Sequence, residues 1–154
     1  MSSFAKNTTV SLEKSLLEVK NLLNKHGATK FAYFESENQA AIAFEMKGRR
    51  IRFTIPLPDK HSRDFTHTPV TKELRTKEKA TELWEQAVKQ RFRALVNVIK
   101  FKLVAIEDGV AIFEDEFLPY TLLPDGSTVG DWAKEQIEQV YLTGKMPPLL
   151  PPSS

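Results

Sequence analysis

The stretch FAYFESENQAAIAFEMKGRRIRFTI, residues 31–55, decides the fold. It contains three runs separated by two short polar turns. FAYFE (31–35) is rich in aromatic residues. After Glu37-Asn38 comes AAIAFEM (40–46), in which Ile42, Phe44 and Met46 alternate with Ala41, Ala43 and Glu45. After Lys47-Gly48 comes RRIRFTI (49–55), in which Ile51, Phe53 and Ile55 alternate with Arg50, Arg52 and Thr54. A period of two places every other side chain on the same face of a strand, and connections this short join antiparallel neighbours. The pattern predicts a three-stranded antiparallel meander with one buried face. The opposite face presents Arg50 and Arg52, with Phe34 nearby.

Outward from the meander the period changes to that of a helix. Upstream, Leu12, Leu16, Val19 and Leu23 predict a helix from about Ser11 to His26, stopped by Gly27 and packed on the sheet's apolar face. Its apolar stripe is narrow, as for a helix with one side in solvent. Downstream, Pro56 and Pro58 end the third strand. Residues 59–75 lack periodicity and read as a long loop. A long helix is expected from Lys77 to Glu107. Its broad apolar arc includes Trp84, Val88, Phe92, Leu95, Val98, Ile99 and Leu103, and predicts a central helix touching two neighbours. Asp108-Gly109 breaks it. A short helix follows at about 110–118 and ends at Pro119. LPDG (123–126) reads as a turn, and Ser127 or Thr128 caps a last helix running to about Leu142. The fold class is therefore α+β: N-terminal helix, three-stranded antiparallel meander, long central helix and two shorter C-terminal helices. We expect one domain over residues 1–145 and an extended proline-rich tail over 146–154.

Charge is unevenly placed along this frame. Net charge is only +2, yet residues 1–105 hold 20 Lys/Arg against 11 Asp/Glu, and residues 106–154 hold 2 against 9. A basic body with an acidic end suggests an anion-facing surface, partly neutralised from within the chain. The absence of cysteine excludes disulfides, thiolate catalysis and zinc–thiolate sites. No apolar run approaches the roughly 20 residues of a membrane span, and MSSFAKNTTVSLEKS lacks the apolar core of a signal peptide. No membrane association is expected.

Several constellations stand out. Lys47, Arg49, Arg50 and Arg52 cluster on the second hairpin, and Lys89, Arg93 and Lys100 form a stripe along the long helix. Such charge suits phosphate-rich ligands, and Phe34 beside Arg50 and Arg52 suits stacking of unpaired bases. Arg49, Arg50, Arg52, Lys89, Arg93 and Lys100 are the candidate phosphate contacts; the competing reading is an ordinary solvated face. Arg91 and Lys102 fall within the apolar arc, where a cation needs a partner. They pair with Glu107, Glu114, Asp115 or Glu116, line a recessed anion pocket, or snorkel from an edge of the arc to solvent. Asp59, His61, Asp64 and His67 match no tight chelation spacing. The Glu114-Asp115-Glu116 triplet cannot share one helix face, which argues against a two-metal centre. Neither catalytic nor metal-ligating residues are assigned, and no cofactor is expected.

From Arg49 onward the chain resembles a family of small, uncharacterised phage and prophage proteins. The resemblance is carried by RRIRFTIPLPD (49–59), FTHTP (65–69), EQAVKQRFRALVNVIKFKLVAIEDG (85–109), FEDEFL (113–118) and LPDGSTVGDW (123–132). It implies a phage origin and a place in the host cytoplasm, and no particular chemistry. The expected function is a non-catalytic accessory protein binding nucleic acid through a basic surface. The alternative is a counter-defence protein that binds a host immune factor or sequesters a nucleotide signal. Homo-oligomers are possible in either case.

Overall fold

The computed structural model describes residues 3–146, with side chains from Leu12 onward. Helix α1 spans Ser3–Lys25, and strands β1 (Lys30–Glu35), β2 (Gln39–Met46) and β3 (Arg49–Pro56) form one antiparallel sheet in the order β1-β2-β3. Helix α2 (Arg63–Thr66) is a single turn, α3 (Lys77–Glu107) is the long central helix, and α4 (Phe113–Glu116) is another single turn. A 3-10 turn at Leu118–Tyr120 leads to α5 (Val129–Thr143). The architecture is the α+β arrangement that the spacing of apolar residues predicts. The proline-rich tail falls outside the described residues except for Met146.

The register explains the buried face. Phe31, Phe44 and Ile51 lie side by side across the sheet, as do Tyr33, Ile42 and Phe53. Ile42, Phe44, Met46, Ile51 and Phe53 are buried with Val19 and Leu23 of α1 and Leu95, Val96, Ile99 and Leu103 of α3. The helices thus form one layer on one side of the sheet. The β2–β3 connection holds Lys47 at φ 51° and Gly48 at φ 74°. Two successive positive φ values mark the type I′ hairpin, whose twist matches that of the strands. That turn sets the alternation of β3.

Four features differ from the sequence reading. Helix α1 begins at Ser3, eight residues before the expected start at Ser11. The chain between β3 and α3 is not featureless. Helix α2 packs on α3, and an antiparallel bridge joins His67 to Leu74. The segment expected as a helix at 110–118 is split, because Pro119 at the start of the 3-10 turn prevents α4 from continuing. Finally, α3 turns its buried side toward Val96 and Leu103, where α1 packs. Val98 is left 41% exposed and Phe101 64%. The narrow sheet and α1 cover one side of the apolar arc, and among the described residues no second helix covers the whole of the other.

Past the 3-10 turn the chain returns to the sheet. Thr121 bridges Ile51, and the Leu122 amide donates to the Arg50 carbonyl, which pairs the edge of β3. Thr128 then caps α5, its hydroxyl accepting from the Asp131 amide at 3.1 Å. The turn before it is closed by Asp125, whose carboxylate accepts from the Ser127 hydroxyl and amide. Those bonds hold its pKa below the usual carboxylate value.

Candidate nucleic-acid interface

The face of the sheet turned away from the helices is built by the residues that alternate with the core. Its three cross-strand rows are Lys30, Glu45 and Arg50; Ala32, Ala43 and Arg52; and Phe34, Ala41 and Thr54. Small alanines in the middle strand leave a shallow floor. Phe34 rises from one side of it, 60% exposed, and Arg50 is exposed on the other. Glu45 faces Arg50 in register, but its carboxylate is held by Lys30 at 2.7 Å. Among the described residues no ion pair uses Arg49, Arg50 or Arg52. Arg52 is partly exposed, while its Nε is buried without a hydrogen-bond acceptor.

The other predicted contacts lie elsewhere. Arg49 pairs in register with the buried Met46 and so starts on the helix side of the hairpin. Lys47 also turns to that side, its ammonium 5.6 Å from the ring centroid of Phe113. The dense basic run therefore divides, with Arg50 and Arg52 on the outer face. Lys89 and Arg93 border a groove of about 370 Å³ between α1 and α3. Lys100 is exposed farther along the same side of α3, seven residues from Arg93. Arg93 donates to Glu18 at 2.9 Å, so part of this stripe is neutralised. The helix stripe and the outer sheet face are on opposite sides of a two-layer molecule. The sequence places both sets of cations but not the thickness between them.

Arg91 and Lys102 do not converge. Eleven residues of helix separate them by about 16 Å. Arg91 is exposed and donates to the Pro56 carbonyl at 3.1 Å. Lys102 bonds the Glu116 carboxylate at 2.9 Å and stands 5.4 Å from the ring centroid of Tyr120. The acidic end thus neutralises Lys102, the pairing outcome expected for it, and the two cations build no common anion pocket.

The histidine loop is locally bonded. Asp59 accepts from the His61 amide at 2.9 Å, and His67 Nδ1 lies 2.8 Å from the Thr66 hydroxyl. Among the described residues no three His, Asp or Glu side chains are grouped to hold a metal ion. No described helix is long and apolar enough to cross a membrane.

Sequence reasoning missed a cleft around Trp84. The chain after β3 folds back over the first turns of α3, and the indole N–H donates to the Pro58 carbonyl at 2.7 Å. Nothing in the spacing signals this, because Trp84 fits the apolar arc of α3 equally well.

In comparisons with known proteins, no family model, curated protein or solved structure matches the chain.

Proposed function

We propose that this is a non-catalytic phage accessory protein, acting in the host cytoplasm, that binds single-stranded nucleic acid on the outer face of its sheet. The observation that carries the reading is the register. One face presents the exposed ring of Phe34 and, across two alanine-floored rows, the guanidinium groups of Arg52 and Arg50. Aromatic stacking holds a base without regard to sequence, and neighbouring cations track the backbone. A flat open face suits unpaired strands better than a duplex, whose bases are stacked and unavailable.

The test is fluorescence anisotropy with a labelled single-stranded oligonucleotide at low salt. Wild-type protein binds, and the Arg50→Glu/Arg52→Glu double variant does not. Phe34→Ala weakens binding by about 1–3 kcal/mol, the usual worth of a stacked base.

A further inference from the structure

Trp84 stands between two cavities whose walls differ in chemistry. The larger, about 650 Å³, lies among the β1–β2 turn, the chain after β3 and the start of α3. Its walls include Glu35, Glu37 and Asp59. The smaller, about 440 Å³, is lined by Lys60, His61 and Lys77, with the hydroxyls of Thr66 and Thr81. Lys60, His61 and Trp84 border both, so the two are halves of one cleft. Each volume lies within the roughly 300–1,000 Å³ of small-ligand sites.

The cleft makes three demands on an occupant. Ionised carboxylates only accept hydrogen bonds, so one half needs donors. Ammonium groups only donate, so the other half needs an anion. Between them is a flat indole, anchored through its N–H to Pro58 and therefore fixed in orientation. Lys60 already lies against this ring, its Nζ 5.7 Å from the centroid. A free phosphate uses the basic half alone. A simple amine uses the acidic half alone. An occupant for the whole cleft carries donors, an aromatic plane and an anion in that order.

We infer that the cleft binds a nucleoside monophosphate. The phosphate sits between Lys60 and Lys77. The base lies against Trp84, and amino or ribose hydroxyl groups face Glu35 and Glu37. A phosphate drawing Lys60 toward Lys77 also clears the indole face for the base. This site is separate from the outer sheet face, since it lies at the end of the sheet beside α3 and uses none of the same residues.

Isothermal titration of the full chain with adenosine 5′-monophosphate, adenosine and inorganic phosphate tests the assignment. The monophosphate is expected to bind at least about tenfold more tightly than either fragment, because each fragment loses charge-assisted bonds or stacking. Lys77→Glu, an exposed substitution that leaves the core intact, lowers affinity by about tenfold or more. Trp84→Phe keeps most of the binding, and Trp84→Ala loses it. Trp84→Ala can loosen the fold by releasing Pro58, so Lys77→Glu is the deciding variant. No heat with the monophosphate at millimolar concentration, equal affinity for adenosine, or binding indifferent to Lys77→Glu overturns the inference.

Discussion

Phe117 shows how a single side chain can knit the acidic end to the basic body. It is fully buried, with its ring edge-on to Phe44 and Phe53 at centroid distances of 5.9 and 6.0 Å. Truncation removes contacts from both sheet strands and from Phe113 at once. Phe117→Ala is expected to cost about 3–5 kcal/mol, read as a shift in the urea midpoint. A loss below 1 kcal/mol would mean that the chain after α3 is not part of the core. Tyr33 makes a second claim at this scale. Burial first, and the negative charge of Glu35 second, push its phenol up to about 12. The neutral phenol is the form the fold favours. Its contribution is therefore fully present below the ordinary tyrosine value of about 10 and is lost as pH rises from there toward 12. Absorbance titration of tyrosinate should show a late-ionising group that Tyr33→Phe removes. A titration curve left unchanged by Tyr33→Phe above about pH 11 would refute it.

Among the elements, legibility followed periodicity. The alternation in residues 40–55 specifies two strands, their buried face and the outward placement of Arg50 and Arg52, because a pleated strand offers no other way to bury Ile42, Phe44, Ile51 and Phe53 together. The bounds of α3 were equally plain from its apolar arc and from Asp108-Gly109 at its end, and the Thr76 hydroxyl caps its start by accepting from the Lys79 amide. Short pieces were not legible. A one-turn helix such as α2 and the Thr121–Leu122 pairing on β3 are too brief for any period to show, and both depend on a partner far along the chain. The start of α5 illustrates such dependence. Gly130 is helical, where alanine is ordinarily better by about 1 kcal/mol. Here a Cβ would meet the Pro119 carbonyl oxygen at 2.9 Å, against backbone that cannot swing aside. Gly130→Ala should therefore destabilise the protein, by about 1–3 kcal/mol, despite its better propensity. A rise in the melting temperature would show that α5 does not approach the 3-10 turn so closely.

For the whole molecule, the charge asymmetry resolves into layers. The sheet's outer face carries Arg50 and Arg52, the helix layer carries Lys89, Arg93 and Lys100, and the acidic end contributes Glu116 to Lys102. A one-dimensional charge count cannot separate two faces of a sheet-and-helix sandwich, which is why the six candidate cations read as one surface in the sequence and as two in the structure. The Trp84 cleft was invisible for a related reason. Its walls come from the β1–β2 turn, the chain after β3 and α3, and only folding brings them together.

The central claim is that the outer sheet face, and not the helix stripe, contacts nucleic acid. The most direct measurement compares two double variants, Arg50→Glu/Arg52→Glu and Lys89→Glu/Lys100→Glu, binding a labelled single-stranded oligonucleotide across a salt series. Each phosphate neutralised contributes about −0.7 to the slope of log affinity against log salt for a single strand. The account predicts that the sheet variant loses binding at about 50 mM salt, and that the helix variant keeps the wild-type slope. Loss of binding in the helix variant with the sheet variant unaffected, or no binding by wild type at that salt, would contradict it.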